Sequence, residues 1–162
     1  MAYVVDGALG VNLDSPTSAC SYTPGEMHDG NNGSEWIYVF APIAIAKGAA
    51  CQIDSSFTAV GVTDATAVVN GQFAFAQTSF AASTWGFMAK RGTGLSILVT
   101  GSSITPNVPL YTTNTAGALS TATNSASAVQ IWGVGLTGTV SGTTASAGTG
   151  NIAFPMARKP IN

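Results

Sequence analysis

Apolar and polar positions along this chain alternate in short runs that are punctuated by Gly, Asn, Ser and Pro, the pattern of strands joined by turns. Glu35-Trp36-Ile37-Tyr38-Val39-Phe40-Ala41, dense in aromatic and β-branched side chains, predicts the clearest strand, ended or edged by Pro42. Residues 43–46 read as a bend because Lys47-Gly48 follows at once. Strands are expected over 50–54 and 57–62, with Asp54-Ser55-Ser56 as the turn between them. Asn70-Gly71, set between apolar pieces, predicts a tight hairpin. Beyond it Phe73 and Phe75 alternate with alanines, so both rings should point to one face.

The second half continues in the same way. Residues 85–90 predict a strand, with Arg91-Gly92-Thr93-Gly94 as its turn. Residues 95–121 then read as strand (95–100), bend (104–107), strand (108–113), the turn Asn114-Thr115-Ala116-Gly117, and a return segment. Such spacing, roughly 8–12 residues, marks an antiparallel β domain. Residues 129–136 predict a strand with glycines where it can bulge, 137–150 a flexible Gly/Ser/Thr loop, and 151–156 a closing strand edged by Pro155. Gly61-Val62 followed by Ala74-Phe75 echoes Gly133-Val134 followed by Ala153-Phe154, a short match that two related hairpin units or coincidence would explain equally well. No segment supports a helix of three turns.

Residues 1–34 depart from this pattern, with five glycines, two prolines, four acids and no base. So long a stretch without periodicity reads either as an extended arm that orders on a partner, or as a first strand over 2–5 followed by loop. The arm is the reading adopted, anchored at Ala8-Leu9-Gly10-Val11. The chain of 162 residues then divides into an arm, 1–34, and one β domain, 35–162.

Composition sharpens the picture. Only 7% of residues are charged, against about 25% in ordinary soluble proteins, while 46% are hydrophobic and mean hydropathy is +0.32. A surface so poor in charge fits either a life packed against neighbours, the reading favoured, or a compact β domain with a Ser/Thr-rich surface. The net charge of −2 offers no footprint for nucleic acid. All seven acids lie at or before Asp64, and Lys90, Arg91, Arg158 and Lys159 lie after it, which permits head-to-tail complementarity between subunits. The first residues lack a basic region and a sustained apolar core, so no signal peptide is expected. No apolar run approaches the ~18 residues of a membrane span.

Candidate chemistry is thin. His28, the single histidine, stands beside Asp29 but has no second ligand nearby and reads as a surface residue of a Gly/Asn-rich loop. Asp54 and Asp64 sit in turn contexts that favour Asp for backbone reasons. Cys20 and Cys51 form no metal spacing and are expected as free thiols. Trp36, Trp85 and Trp132 could stack sugars or bases if exposed, but each lies in an apolar strand, so core burial is expected. No catalytic residue, metal ligand or cofactor site is predicted.

Against this background the chain resembles a known group. Gly33-Ser34-Glu35-Trp36-Ile37-Tyr38-Val39 is similar to the G-x-E-F-I-Y-L opening of small virion proteins of tailed bacteriophages. The likeness runs on through Phe57-Thr58-Ala59-Val60-Gly61-Val62 and Trp85-Gly86-Phe87-Met88. It is most specific at Val108-Pro109-Leu110-Tyr111-Thr112-Thr113-Asn114-Thr115-Ala116-Gly117, which resembles their N-x-x-L-Y-x-T-x-T-A-G run. The resemblance covers residues 35–156 and departs at Met27-His28-Asp29-Gly30-Asn31-Asn32-Gly33. It implies a head decoration (cement) protein, an antiparallel β-barrel or β-tulip-like domain with an extended arm, without enzymatic activity. Its implied partners are the major capsid protein and further copies of itself, as a trimer, on the capsid exterior after synthesis in the bacterial cytoplasm. Neither nucleic acid nor membrane is an implied partner. Residues expected at the contact are Leu9, Gly10, Val11 and Asp14 of the arm, with Lys90, Arg91, Arg158 and Lys159.

Overall fold

The computed structural model describes residues 3–4, 11–13, 15–30, 33–69, 71–101, 103–121, 126–141 and 145–158. The fold is all-β with an antiparallel sheet and 52% strand, and no helix occurs among the described residues. In chain order the strands are β1 (Tyr3–Val4), β2 (Val11–Asn12), β3 (Met27–Asp29), β4 (Glu35–Ala41), β5 (Ala50–Ile53) and β6 (Ala59–Gly61). They continue with β7 (Gln72–Ala76), β8 (Thr84–Val99), β9 (Leu110–Thr112), β10 (Leu119–Ser120), β11 (Gln130–Leu136) and β12 (Ser146–Arg158). β1 and β2 pair with each other, and the other ten strands form one sheet.

That sheet curls into two rings that share β8. The first half of β8 pairs with β4 on one side and β7 on the other, and β7 leads through β5 to β6. A parallel bridge between Phe40 and Thr58 returns β6 to β4. The second half of β8 pairs with β12, then β11, β9 and β10, and Leu119 on β10 returns to Val99 in parallel. The result is ring-like rather than a clean barrel.

Burial follows from this sharing. Strands between the rings must be apolar on both faces, and β4 and β7 have the residues for it. Ile37, Val39, Ala74 and Ala76 enter one apolar cluster with Cys51 and Met88. Trp36, Tyr38, Phe73 and Phe75 enter the other, with Ile97, Leu110, Ile131 and Ile152. The alternation of Phe73 and Phe75 with alanines therefore places both rings on one face, as their spacing predicts.

Several expectations need correction. Residues 84–99 form one strand, not two joined by a turn. Gly92 (φ +151°) and Gly94 (φ +67°) bend it where pairing passes from β4 to β12, so the glycines serve a bend inside the strand. Residues 95–100 and 108–113 do not form a hairpin. β9 turns through Gly117 (φ +75°) to pair with β10, and of these two strands β8 pairs with β10 and not with β9. Gly71 accompanies a turn, its N–H bonded to the Val68 carbonyl, but β6 and β7 each pair with β5 and not with each other; Asn70 lies outside the described residues. The echo of Gly61-Val62 in Gly133-Val134 has no counterpart in pairing, because β11 does pair directly with β12. Residues 146–150, expected as loop, begin β12. Pro155 does sit at an edge: β12 pairs with β8 only as far as Ala153, and beyond it only with β11.

The N-terminal stretch lies on the domain wherever it is described between residues 13 and 30. Leu13 is buried in the main apolar cluster. Thr17 and Trp85 exchange backbone hydrogen bonds of 2.8 and 2.7 Å. Tyr22 packs edge-on against Tyr38 and Phe87, with ring centroids 5.2 Å away in each case. β3 pairs with β4. The aromatic outer face of β4 and β8 needs a cover, and this segment supplies one. An extended conformation free of the sheet therefore does not hold for residues 15–30, and near the start Tyr3–Val4 and Val11–Asn12 form a two-stranded pair.

Candidate interaction surface

Among the described residues no three of His, Cys, Asp and Glu stand together as a metal-binding group. His28 is not a surface loop residue. It lies in β3 with its side chain 8% exposed, Nε2 2.6 Å from Glu26 Oε1, and its ring edge-on to Phe87 at 5.3 Å. Glu26 Oε2 also accepts the Thr23 N–H, so the carboxylate pins the turn that leads into β3. Asp54 is a turn residue, its Oδ1 accepting the N–H groups of Ser56 and Thr58. Both cysteines are free, Cys20 exposed and Cys51 buried.

The conspicuous surface lies on the outer side of β9, β11 and β12. Inward positions of these strands, Leu110, Thr112, Ile131, Ile152 and Ala157, are buried. The alternate positions face out, and cross-strand pairing groups them: Gln130 opposes Tyr111 and Arg158, and Trp132 opposes Met156. Trp132 is 45% exposed, Phe154 47% and Met156 38%. These are large apolar side chains in water, adjacent on one sheet face.

A double irregularity shapes this face. The register between β11 and β12 shifts after Trp132, with Gly133 at φ +75° and Phe154 at φ +48°. A bulky side chain at positive φ is an uncommon, costly conformation that persists only where its surroundings enforce it. Here the extra residue turns the Phe154 ring outward beside β8. Arg91 meets it there, its guanidinium carbon 5.3 Å from the ring centroid. Arg158 lies over Trp132 in the same way, at 4.9 Å, with Nη2 3.7 Å from the Met156 sulfur. Exposed cation–π pairs of this kind contribute about 0.5–1 kcal/mol each. Beside Trp132 runs an open groove walled by Asn107, Pro109, Gln130 and the Gly133–Gly135 backbone.

Of the residues expected at a contact, Arg91 from β8 and Arg158 from β12 each meet an aromatic ring of this face. Lys90 is half-buried at the point where the β4–β8 register slips. Val11 belongs to β2, whose side chains are not described, and Leu9, Gly10, Asp14 and Lys159 lie outside the described residues. Trp132 is exposed and not in the core, which corrects the expectation for it. Trp36 is buried and Trp85 half-buried. Sequence reasoning missed Trp132, Phe154 and Met156 because an apolar strand was treated as buried on both faces. The signal lay in Val129-Gln130-Ile131-Trp132, where Gln130 and Trp132 share a side. Compared with known proteins, the chain matches no family model and no curated protein.

Proposed function

We propose that the chain is a head decoration (cement) protein of a tailed bacteriophage that docks on the major capsid protein through the outer face of β9, β11 and β12. The observation that carries this reading is the exposed trio Trp132, Phe154 and Met156 under two arginines. Trp, Tyr, Phe, Met and Arg are the residues that protein–protein contacts concentrate at their centres. In a chain with five basic residues, two of them standing on one aromatic face is informative. The resemblance of the strand segments to decoration proteins points the same way, as does the rigid scaffold with both faces of β4 and β7 buried. Many copies on a symmetric shell would let a modest contact hold by multivalency, and the trimer expected from the resemblance belongs to the same proposal.

The test is binding to purified expanded heads that lack the protein. The full chain should sediment with them, and the Trp132→Ala, Phe154→Ala double variant, folded by circular dichroism, should lose at least about tenfold in affinity. Wild-type protein that stays in the supernatant at saturating head concentration ends the proposal. A second reading, a host-adsorption module, is favoured by one feature: Trp132 stands beside the Asn107 and Gln130 amides, a stacking surface with flanking hydrogen-bond groups. Glycan-array binding lost on Trp132→Ala would support it.

A further inference from the structure

Among the described residues, the outer face of β9, β11 and β12 carries Arg158, borders Arg91 of the neighbouring β8, and has no acid of its own. All seven acidic residues lie at or before Asp64, and none belongs to these strands. Glu35 on β4 is the cross-strand partner of Arg91. Arg91 makes no ion pair with it and leans instead over Phe154. Arg158 likewise has no carboxylate partner among the described residues. Apart from the Arg158 Nη2 that meets the Met156 sulfur, the N–H donors of both guanidiniums have no partner among the described residues.

In the free protein water solvates those donors, and the arrangement costs little. Docking changes the balance. The arginines lie on the very rings that would form the dry centre of a contact, so burying Trp132 and Phe154 also takes both guanidiniums out of water. A cation desolvated without an anion is heavily penalised. A partner surface that covers these rings must therefore bring its own anions.

Resting on the docking reading above, we propose that this face is a carboxylate-reading surface: its partner presents acidic side chains opposite Arg91 and Arg158, set around an apolar centre that receives Trp132 and Phe154. The partner is the shell protein. A second copy of this chain, which could offer Asp29 and Glu35 from β3 and β4, is the competing occupant.

The experiment measures binding of the full chain to two probes: purified heads lacking the protein, and immobilised poly-glutamate with poly-glutamine as control. Wild type, the R91Q/R158Q pair and the R91K/R158K pair are compared at low and high salt. Both arginines are exposed, so neither pair of substitutions disturbs the core. Expected results are poly-glutamate binding without poly-glutamine binding, and a loss of about tenfold or more on both probes with Gln. Recovery with Lys should be only partial, because Lys keeps the charge but not the fork. Affinity should fall as salt rises. Heads bound equally well by the Gln pair would overturn the carboxylate surface while leaving the decoration reading intact. A chain that ignores heads yet takes up poly-glutamate through both arginines would retain the surface and end the decoration reading. Oligomers in light scattering that disperse on both R91Q/R158Q and Glu35→Gln would overturn the shell as partner and assign the carboxylates to a second copy.

Discussion

Gly133 is where a single residue decides the geometry of the face. At φ +75° a side chain is strained, and a Cβ there would lie 2.3 Å from the Ala153 carbonyl oxygen, a backbone atom that cannot step aside. Gly133→Ala should therefore cost more than the roughly 1 kcal/mol of an ordinary Gly-to-Ala conformational mismatch. Urea unfolding would show the loss, and a shift in Trp132 emission would show that the neighbouring ring has been re-aimed. Cys51 illustrates burial acting on chemistry: its thiol is pushed from 9.0 up to about 12 by burial alone. In the unfolded chain the thiol ionises near 9, and in the folded chain it stays protonated until about 12. Its contribution to stability is thus complete below pH 9 and is lost as pH rises toward 12, at about 1.4 kcal/mol per pH unit. Burial raises the Tyr38 phenol in the same direction, so it adds to the loss above pH 10. Denaturant midpoints measured from pH 8 to 11 should fall, and less steeply in Cys51→Ala. At pH 8 a thiol reagent should label Cys20 promptly and leave Cys51 untouched until the chain unfolds.

At the scale of elements, what could be read ahead of the structure depended on how local the determinant was. β4 spans the predicted residues because its aromatic and β-branched run fits no other element. β7 was legible for the same reason, since Phe-Ala alternation fixes two faces within five residues. β8 was not. Gly92-Thr93-Gly94 has the composition of a turn, and only the partners on either side, β4 ending and β12 beginning, make it a bend within a continuous strand. The cover formed by residues 15–30 was equally hidden, because its contacts are with Tyr38, Trp85 and Phe87, far along the chain. For the outer face of β9, β11 and β12, the arginines could be guessed from charge asymmetry, whereas the outward turn of Phe154 comes from a bulge that no periodicity announces. The role of β7 as a wall between clusters yields a prediction. Phe75 is fully buried between β5 and β8, so Phe75→Ala should cost about 3–5 kcal/mol, while Val68→Ser, on a turn with 55% exposure, should stay within about 0.5 kcal/mol. Chemical denaturation of the two variants side by side tests that contrast.

For the whole molecule, the shared strand ties the two rings into one unit. Neither ring has a wall of its own at β8: the first half of that strand carries Met88 into one cluster and Phe87 into the other, and the second half does the same with Leu98 and Ile97. Opening either ring strips β8 of partners on both edges, β4 and β7 in one half or β12 and β10 in the other. Partial unfolding would therefore expose apolar surface belonging to the ring left behind, and an intermediate with one intact ring gains little from it. The expected outcome is a single cooperative transition in which far-ultraviolet dichroism and tryptophan fluorescence change together. Closure is also non-local, since β8 must wait for β10 and for β12 near the end of the chain, so refolding should be slow for a protein of this size, in milliseconds to seconds. Two separate transitions by the two probes would mean that each ring is stable alone. In that case β8 would be a linker between two domains rather than the common wall that holds the outer face of β9, β11 and β12 rigid.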